Sequence, residues 1–267
     1  MTPTDRYLER CRELVAAVER QRDVIARVAG RFAQTILAGR MVHVFGSGHS
    51  RIMVEELWPR YGSFPGFNPL VELSLSFHHP VVGSNGQRQA MFLENVSGLA
   101  ERILRNFDIS TDDAALVVSS SGCNVVSIEV AEEFRQRGVF VAALVSRDHC
   151  EASQSQRADG KKVVDFADEV LDTGAPVGDA MVMLDGLDTP VSPGSTVGGC
   201  LVVNSIKAEV AQRLIEAGQP PRVLTAPVVI GPQRASELFE AAYDEHARRL
   251  AKLYASLGKP RDGGEKS

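Results

Sequence analysis

The alternation of short apolar runs with longer helical segments is the feature that most constrains this fold. "TDDAALVVSS" (residues 111–120) and "VFVAALVS" (139–146) each contain a nearly uninterrupted apolar run of strand length, which is typical of strands covered on both faces. A helical pattern separates them, beginning at Asn124 and ending at Gly138. Two such strands joined by a helix predict parallel pairing, because a parallel crossover needs a long connection.

Further segments extend the alternation. We predict strands over 41–45, within "FNPLVEL" (67–73) and within "DEVLDTG" (168–174). The remaining helices are predicted over 4–38, 49–58, 88–107, 195–217 and 233–256. In the first of these, Thr4 is a candidate N-cap, Gly30 a candidate break and Gly39 a C-terminal stop. The sequence therefore predicts a five-stranded parallel α/β sheet with helices on both faces.

Composition excludes several classes of protein. With 267 residues, 44% hydrophobic and 24% charged, the chain has ordinary globular composition. It has no apolar run near the roughly 20 residues of a membrane span, and its charged amino terminus is unlike a signal peptide. The net charge of −5 without a basic run argues against nucleic acid as a partner. The lack of a membrane span and of a signal peptide predicts a cytoplasmic protein without a membrane partner, and in that reducing compartment four cysteines without CxxC spacing are expected to be free thiols.

Two loops rich in glycine and serine follow the first and third predicted strands: "GSGHS" (46–50) and "SSSGCN" (119–124). In the common strand order 2-1-3-4-5, these two strands flank the crevice in which open α/β sheets bind ligands. Each loop also precedes a helix, whose N-terminal N–H groups favour an anion. Either loop alone also fits an ordinary turn in which Ser47 or Ser50 caps the helix. Together they favour a phosphate site.

Nucleotide sites fit this sequence less well. Gly46 and Gly48 begin a GxGxxG pattern, but Arg51 stands where the third glycine belongs. Glu72 stands near the end of the second strand, where it could act as the ribose-binding acid. No Walker A motif is present. We therefore expect neither a nicotinamide nor another cofactor.

The motifs "GSGHSRIMVEEL", "LENVSGLAERIL" and "GSTVGGCLVVN" resemble the sugar isomerase (SIS) domain. They are most similar to an uncharacterised branch near the phosphoheptose isomerases and the N-acetylmuramic acid 6-phosphate etherases. The resemblance implies a flavodoxin-like three-layer αβα sandwich that binds a sugar phosphate. It also implies a homodimer or homotetramer, in which a neighbouring subunit often completes the site. The chain then divides into an N-terminal helical segment (1–39), the SIS domain (40–217), a C-terminal helical extension (218–257) and a flexible tail (258–267).

Carboxylates are the candidate catalytic groups, since isomerisation or ether elimination requires removal of a proton beside a carbonyl. Glu94 is the first candidate, because its spacing to the serine loop is similar to that of the etherase glutamate. Glu56, in the acidic pair "EEL" with Glu55, resembles the base of the phosphoheptose isomerases, although the alignment needs a gap. His49 is a candidate acid or sugar contact. Each could instead be an ordinary surface, capping or packed side chain.

The late helix departs from the isomerase pattern, because Asn204 stands where those enzymes carry a metal-binding histidine. We therefore expect no metal. Lys207 could neutralise substrate charge or lie on the polar face of the helix. His78 and His79 are adjacent and fit a loop better than a metal pair. The predicted phosphosugar-binding residues are Gly46, Ser47, Gly48, Ser50, Ser119, Ser120, Ser121, Gly122, Asn124, Ser195, Thr196 and Asn204.

Three functions remain open on the sequence. A sugar-phosphate aldose–ketose isomerase with a glutamate base is the leading interpretation. The alternatives are an etherase-type lyase acting on an amino-sugar 6-phosphate and a phosphosugar sensor without catalysis. Specificity for a particular sugar is expected from the irregular segments 73–87 and 172–194.

Overall fold

The computed structural model describes residues 1–76 and 86–255. The helices are α1 (Pro3–Glu19), α2 (Arg22–Leu37), α3 (Arg51–Leu57), α4 (Gly86–Leu93), α5 (Leu99–Leu104), α6 (Val125–Gln136), α7 (Arg147–Ala152), α8 (Ser195–Glu216), α9 (Pro227–Ile230) and α10 (Pro232–Leu253). The strands are β1 (Val42–Gly46), β2 (Phe67–Leu70), β3 (Ala114–Val118), β4 (Phe140–Val145), β5 (Glu169–Asp172), β6 (Ala180–Val182) and β7 (Val191–Pro193).

The five long strands form one parallel sheet in the order β2-β1-β3-β4-β5. This confirms the predicted α/β fold with a five-stranded parallel sheet, and the strand order reverses between β1 and β3. The carboxyl ends of β1 and β3 are therefore adjacent, and Gly46 lies beside Val118. The two glycine- and serine-rich loops leave the sheet at this edge.

Side chains alternate between two apolar cores, one on each face of the sheet. Leu116 points into a core built with α2, α3, α8 and α10, whereas Val117 points into a core built with α5 and α6. Both side chains are fully buried. The uninterrupted apolar run of β3 is thus explained by burial on both faces, which makes the protein a three-layer sandwich.

The N-terminal helical region breaks earlier than the sequence predicts. The break lies between α1 and α2, while Gly30 lies inside α2. At the break, the Gln21 side chain donates to the Asp172 carbonyl at 2.6 Å and accepts from the Asp172 N–H at 2.9 Å. It satisfies the open backbone edge of β5, which a sequence pattern cannot reveal. The N-cap is Thr2, paired with Asp5 in a capping box, and not Thr4.

Two further details differ from the prediction. The helix predicted over 88–107 is divided into α4 and α5, because Gly98 adopts a left-handed φ of 83° between them. Strands β6 and β7 form an antiparallel pair within the segment 172–194, which was predicted to be irregular. His78, His79 and the tail 258–267 lie outside the described residues. Among residues 1–76 and 86–255, none of the helices combines the length and apolarity that a membrane crossing requires.

Candidate functional site

A cavity of about 310 Å³ opens at the carboxyl edge of the sheet. Its walls come from the loops after β1, β3 and β5, from the end of α4, and from the start of α8. The predicted site residues on its wall are Ser47, Gly48, His49, Ser50, Glu94, Ser120, Ser195 and Thr196. The fold thus brings together residues from four separate sequence motifs, at the place where open parallel sheets bind ligands.

The first loop is a tight turn that depends on its glycines. A Cβ placed at Gly46 would lie 2.7 Å from the Ser50 carbonyl oxygen, and Gly48 has a φ of 54°. Glycine alone fits both conditions without strain. The turn leaves Ser47, Gly48 and His49 on the cavity wall.

The second loop orients its three serines differently. Ser119 Oγ accepts from the Gly122 N–H at 3.1 Å, and Ser121 Oγ accepts from the Cys123 N–H at 3.3 Å. These two hydroxyls therefore stabilise the turn, in which Gly122 has a φ of 64°. Ser120 is the serine of this loop that lies on the cavity wall. Of the three serines predicted to bind a phosphosugar, Ser120 faces the cavity, whereas Ser119 and Ser121 are engaged within the turn.

Glu94 is the buried carboxylate of the cavity. It is 7% exposed, and Asn124 Nδ2 donates to its Oε2 at 2.5 Å. Burial raises the pKa of the Glu94 carboxyl, although hydrogen bonds from Ser47 and Asn124 oppose that shift. A buried carboxyl group with a raised pKa on a cavity wall has the properties that general base catalysis uses. Asn124 itself does not line the cavity but holds this side chain.

Asp179 is a cavity residue that the sequence analysis missed. Its Oδ1 accepts from the N–H groups of Gly194 and Ser195 at 3.0 and 2.7 Å, and its Oδ2 accepts from the Ser195 hydroxyl at 2.8 Å. Asp179 adopts a left-handed φ of 69°, which is uncommon for a residue other than glycine. The pair Gly178-Asp179 was a turn signal in the sequence, but the partner segment lies fifteen residues away.

Glu56 and Asn204 lie together, but not on this cavity. Asn204 Nδ2 donates to Glu56 Oε1 at 2.8 Å, and Arg60 forms an ion pair with the same carboxylate. Despite the opposing effect of burial, the hydrogen bonds from Asn204 and Arg60 lower the pKa of Glu56. Lys207, buried beside them, donates to the Glu56 carbonyl and to Ser63 Oγ. Glu56 faces a different surface pocket, together with Arg60 and Tyr61.

The charged side chains that line the cavity are acidic. Two carboxylates, Glu94 and Asp179, line it, and none of its lining residues among those the structure describes is a lysine or an arginine. Across the described ranges, no group of three or more histidine, cysteine or acidic side chains could hold a metal ion. An anionic ligand would therefore depend on hydroxyls and backbone N–H groups.

Comparison with known proteins places this geometry in a family. The sequence model of the SIS domain matches residues 6–146, which is more than half of the chain. The chain belongs to the SIS domain family. Domains of this type bind phosphosugars, and the family resemblance inferred from the loop motifs is confirmed. The match ends just after β4 and includes both glycine- and serine-rich loops and Glu94.

Similar proteins match this SIS domain protein over a larger part of the chain than residues 6–146. The UPF0309 protein lin2794 of Listeria innocua is 30% identical, over 90% of this chain and 94% of its own length. A UPF0309 protein of Brucella anthropi is 33% identical, over 84% of this chain and 89% of its own. A phosphoheptose isomerase structure from Francisella tularensis has 16% identity and a TM-score of 0.49, covering 79% of this chain and all of that one. A likeness at that level carries no conclusion about activity.

Proposed function

We propose that the protein is a cytoplasmic sugar-phosphate isomerase that interconverts an aldose phosphate and a ketose phosphate, with Glu94 as the base. The observation that carries the proposal is the burial of Glu94 against the cavity that the serine and glycine loops surround. Burial raises the pKa of this carboxyl toward the range in which a base works near neutral pH. Its oxygens are held by Asn124 and Ser47.

The proposed chemistry moves one proton between neighbouring carbons. Glu94 removes the proton from C2 of the open-chain aldose. The C–H electrons form the C1–C2 double bond of an enediol, and the π electrons of the C1 carbonyl move onto O1. The same carboxyl then returns the proton to C1. The hydroxyl proton on O2 must move to O1, and His49, on the same cavity wall, is the group proposed to carry it. The atoms balance without any cofactor.

The phosphate group is proposed to lie at the two loops. The Ser120 hydroxyl and the backbone N–H groups beside Gly48 and Ser120 supply the donors there. The cavity volume of about 310 Å³ is at the lower end of the range of about 300–1,000 Å³ for ligand pockets. This size suits a monosaccharide phosphate without a bulky substituent.

An etherase-type lyase is the second candidate. It is favoured by one observation: Glu94, whose spacing is similar to the etherase glutamate, lines the cavity, whereas Glu56, the isomerase-like residue, faces another pocket. Elimination would begin with the same proton removal beside a carbonyl. The two activities therefore differ in the leaving group, and not in the base.

A panel of pentose, hexose, heptose and amino-sugar phosphates tests these proposals. Chromatography would separate interconverted sugars from elimination products, and phosphosugar binding would be measured in parallel. We expect Glu94→Gln to reduce turnover by about 10²- to 10⁴-fold while binding persists. Glu101→Gln, an exposed glutamate on α5, is the matched control. Binding without any turnover in the wild type would leave the sensor function instead.

We further propose that the protein is a homo-oligomer joined through α1 and α8. A groove of about 610 Å³ between these helices and α2 is lined by Val15, Ile25 and Leu201. Val15 is 45% exposed and Leu8, on the same helix, 50% exposed. Exposed apolar surface of this kind is typical of subunit contacts. Light scattering at micromolar concentration tests the assembly, and Val15→Glu should shift it toward the monomer.

A further inference from the structure

Three hydroxyl groups lie in a row across the carboxyl ends of β3, β4 and β5. Ser120 Oγ is 3.1 Å from Ser146 Oγ, which is 2.7 Å from Thr173 Oγ1. Ser120 and Thr173 line the cavity, whereas Ser146 does not. Ser146 is completely buried, at 0% exposure. The row therefore has two ends at the cavity and a middle that no ligand can contact.

Ser146 occupies a position where serine normally has another task. It is the N-cap residue of α7, with extended backbone angles, yet its side chain caps no N–H group of that helix. Instead, Asp172 Oδ1 accepts from the first N–H of the helix, that of Arg147, at 3.0 Å. The Ser146 hydroxyl is thus committed to Ser120 and Thr173.

Counting hydrogens shows what the row presents to the cavity. Each hydroxyl carries one hydrogen, and Thr173 Oγ1 already accepts from the Ala175 N–H at 3.3 Å. The two contacts within the row use two of the three hydrogens. If both ends donated to Ser146, its own buried hydrogen would have no acceptor, which is costly. One hydrogen, on Ser120 or on Thr173, is therefore left available to a ligand in the cavity.

We propose that this row is a hydrogen-bond relay that makes Ser120 a donor to an anionic ligand oxygen, with Ser146 as its positioning residue. The inference rests on the phosphate site proposed above. Thr173 donates to Ser146, Ser146 donates to Ser120, and Ser120 donates to the anion, without any proton transfer. Each bond polarises the next, so the last donor is stronger than an isolated serine.

Titration with inorganic phosphate, followed by ³¹P NMR, tests the relay. We expect Ser146→Ala to weaken phosphate binding by about threefold to tenfold, although Ser146 cannot touch the ligand. Ser120→Ala should weaken it at least as much. Because Ser146 acts through Ser120, adding Ser146→Ala to Ser120→Ala should cause no further loss. The matched control is Ser127→Ala, an equally buried serine on α6 outside the row, which should bind as the wild type does.

Each contrary result has a distinct meaning. Equal phosphate affinity in Ser146→Ala and the wild type overturns the relay but leaves the phosphate site standing. A loss of the same factor in the Ser120→Ala background also overturns the relay, because the role would then be merely structural. Failure of the wild type to bind phosphate overturns the site and the relay together. If Ser146→Ala does not fold, Thr173→Val removes the far hydroxyl and carries the same expectation.

Discussion

Gly198 fixes the position of α8 against the sheet, and its substitution gives a sharp test of the site geometry. A Cβ placed at Gly198 would lie 1.8 Å from the Thr173 carbonyl oxygen, where ordinary contact begins at 3.4 Å. Alanine would therefore push α8 and the end of β5 apart by about 1.6 Å. Overpacking against backbone costs about 1–3 kcal/mol or more, and the helix propensity of alanine offsets about 1 kcal/mol.

Gly30 is the matched control, since it is also a glycine inside a long helix. A Cβ there would lie 3.6 Å from Arg213 Nε, which is ordinary contact. Gly30→Ala should therefore stabilise the protein by about 0.5–1 kcal/mol. Because the Gly198 clash is with backbone, its cost lies at the upper end of the range, about 3 kcal/mol, and after the offset of about 1 kcal/mol Gly198→Ala should destabilise the protein by about 2 kcal/mol.

Urea unfolding followed by fluorescence measures both variants. The protein has a single tryptophan, Trp58, which is buried and 2% exposed. The slopes of the transitions should match the wild type, and the midpoints should move in opposite directions. Gly198→Ala should also weaken phosphosugar binding, because Ser195 and Thr196 would move with α8. If Gly198→Ala were as stable as Gly30→Ala, the close approach of α8 to β5 would be refuted.

Two further predictions concern buried carboxylates. Asp113 accepts from Arg40 at 2.9 and 2.7 Å. Although burial opposes the shift, the neighbouring His43 imidazole and the hydrogen bonds from Arg40 lower the pKa of Asp113 from 3.8 to about 2. Ionised Asp113 should add about 2–3 kcal/mol to the free energy of unfolding above pH 4, and this contribution should be lost as the pH falls toward 2. Asp113→Asn should lower the free energy of unfolding at pH 7 by about 3–5 kcal/mol, measured by urea unfolding. The raised pKa of Glu94 has the opposite effect on stability, because the protein becomes less stable as the pH rises and this buried carboxyl becomes charged. Glu94→Gln should therefore raise the Tm at pH 8 and leave it nearly unchanged at pH 4, and equal shifts at both values would contradict this.

The local sequence pattern predicted the sheet and the proximity of its two loops, because both follow from the strand order and from the common direction of the parallel strands. Burial of β3 and β4 on both faces made their apolar runs conspicuous, and the rule that ligands bind beyond strand ends then placed the cavity. Glu94 could be named from its spacing to the serine loop. Its burial depends on how α4 packs, so the sequence left open whether it was a solvated surface charge.

The features that sequence reasoning missed depend on contacts between distant segments. The break before α2 follows from Gln21 binding the edge of β5, 151 residues away. Asp179 lies on the cavity wall because its carboxylate accepts a hydrogen bond from the N–H of Ser195 at the start of α8. The separation of Glu56 from the cavity follows from the direction in which α3 presents that side chain to Asn204. None of these contacts leaves a periodic pattern in the chain.

The capping positions at the strand ends show how side chains at one edge of the sheet are arranged around the cavity. Ser47 precedes a short 3-10 helix (Gly48–Ser50) after β1, and Asn124 and Ser146 precede α6 and α7 after β3 and β4. All three occupy N-cap positions, and none makes a side-chain capping bond. An N-cap bond typically stabilises a helix by about 1 kcal/mol. Here Ser47 and Asn124 bind Glu94, and Ser146 binds Ser120. Residue types that look like ordinary helix caps in the sequence instead hold Glu94, the proposed base, and Ser120, the proposed donor. Such a departure from local stability is expected where a fold has been shaped for function.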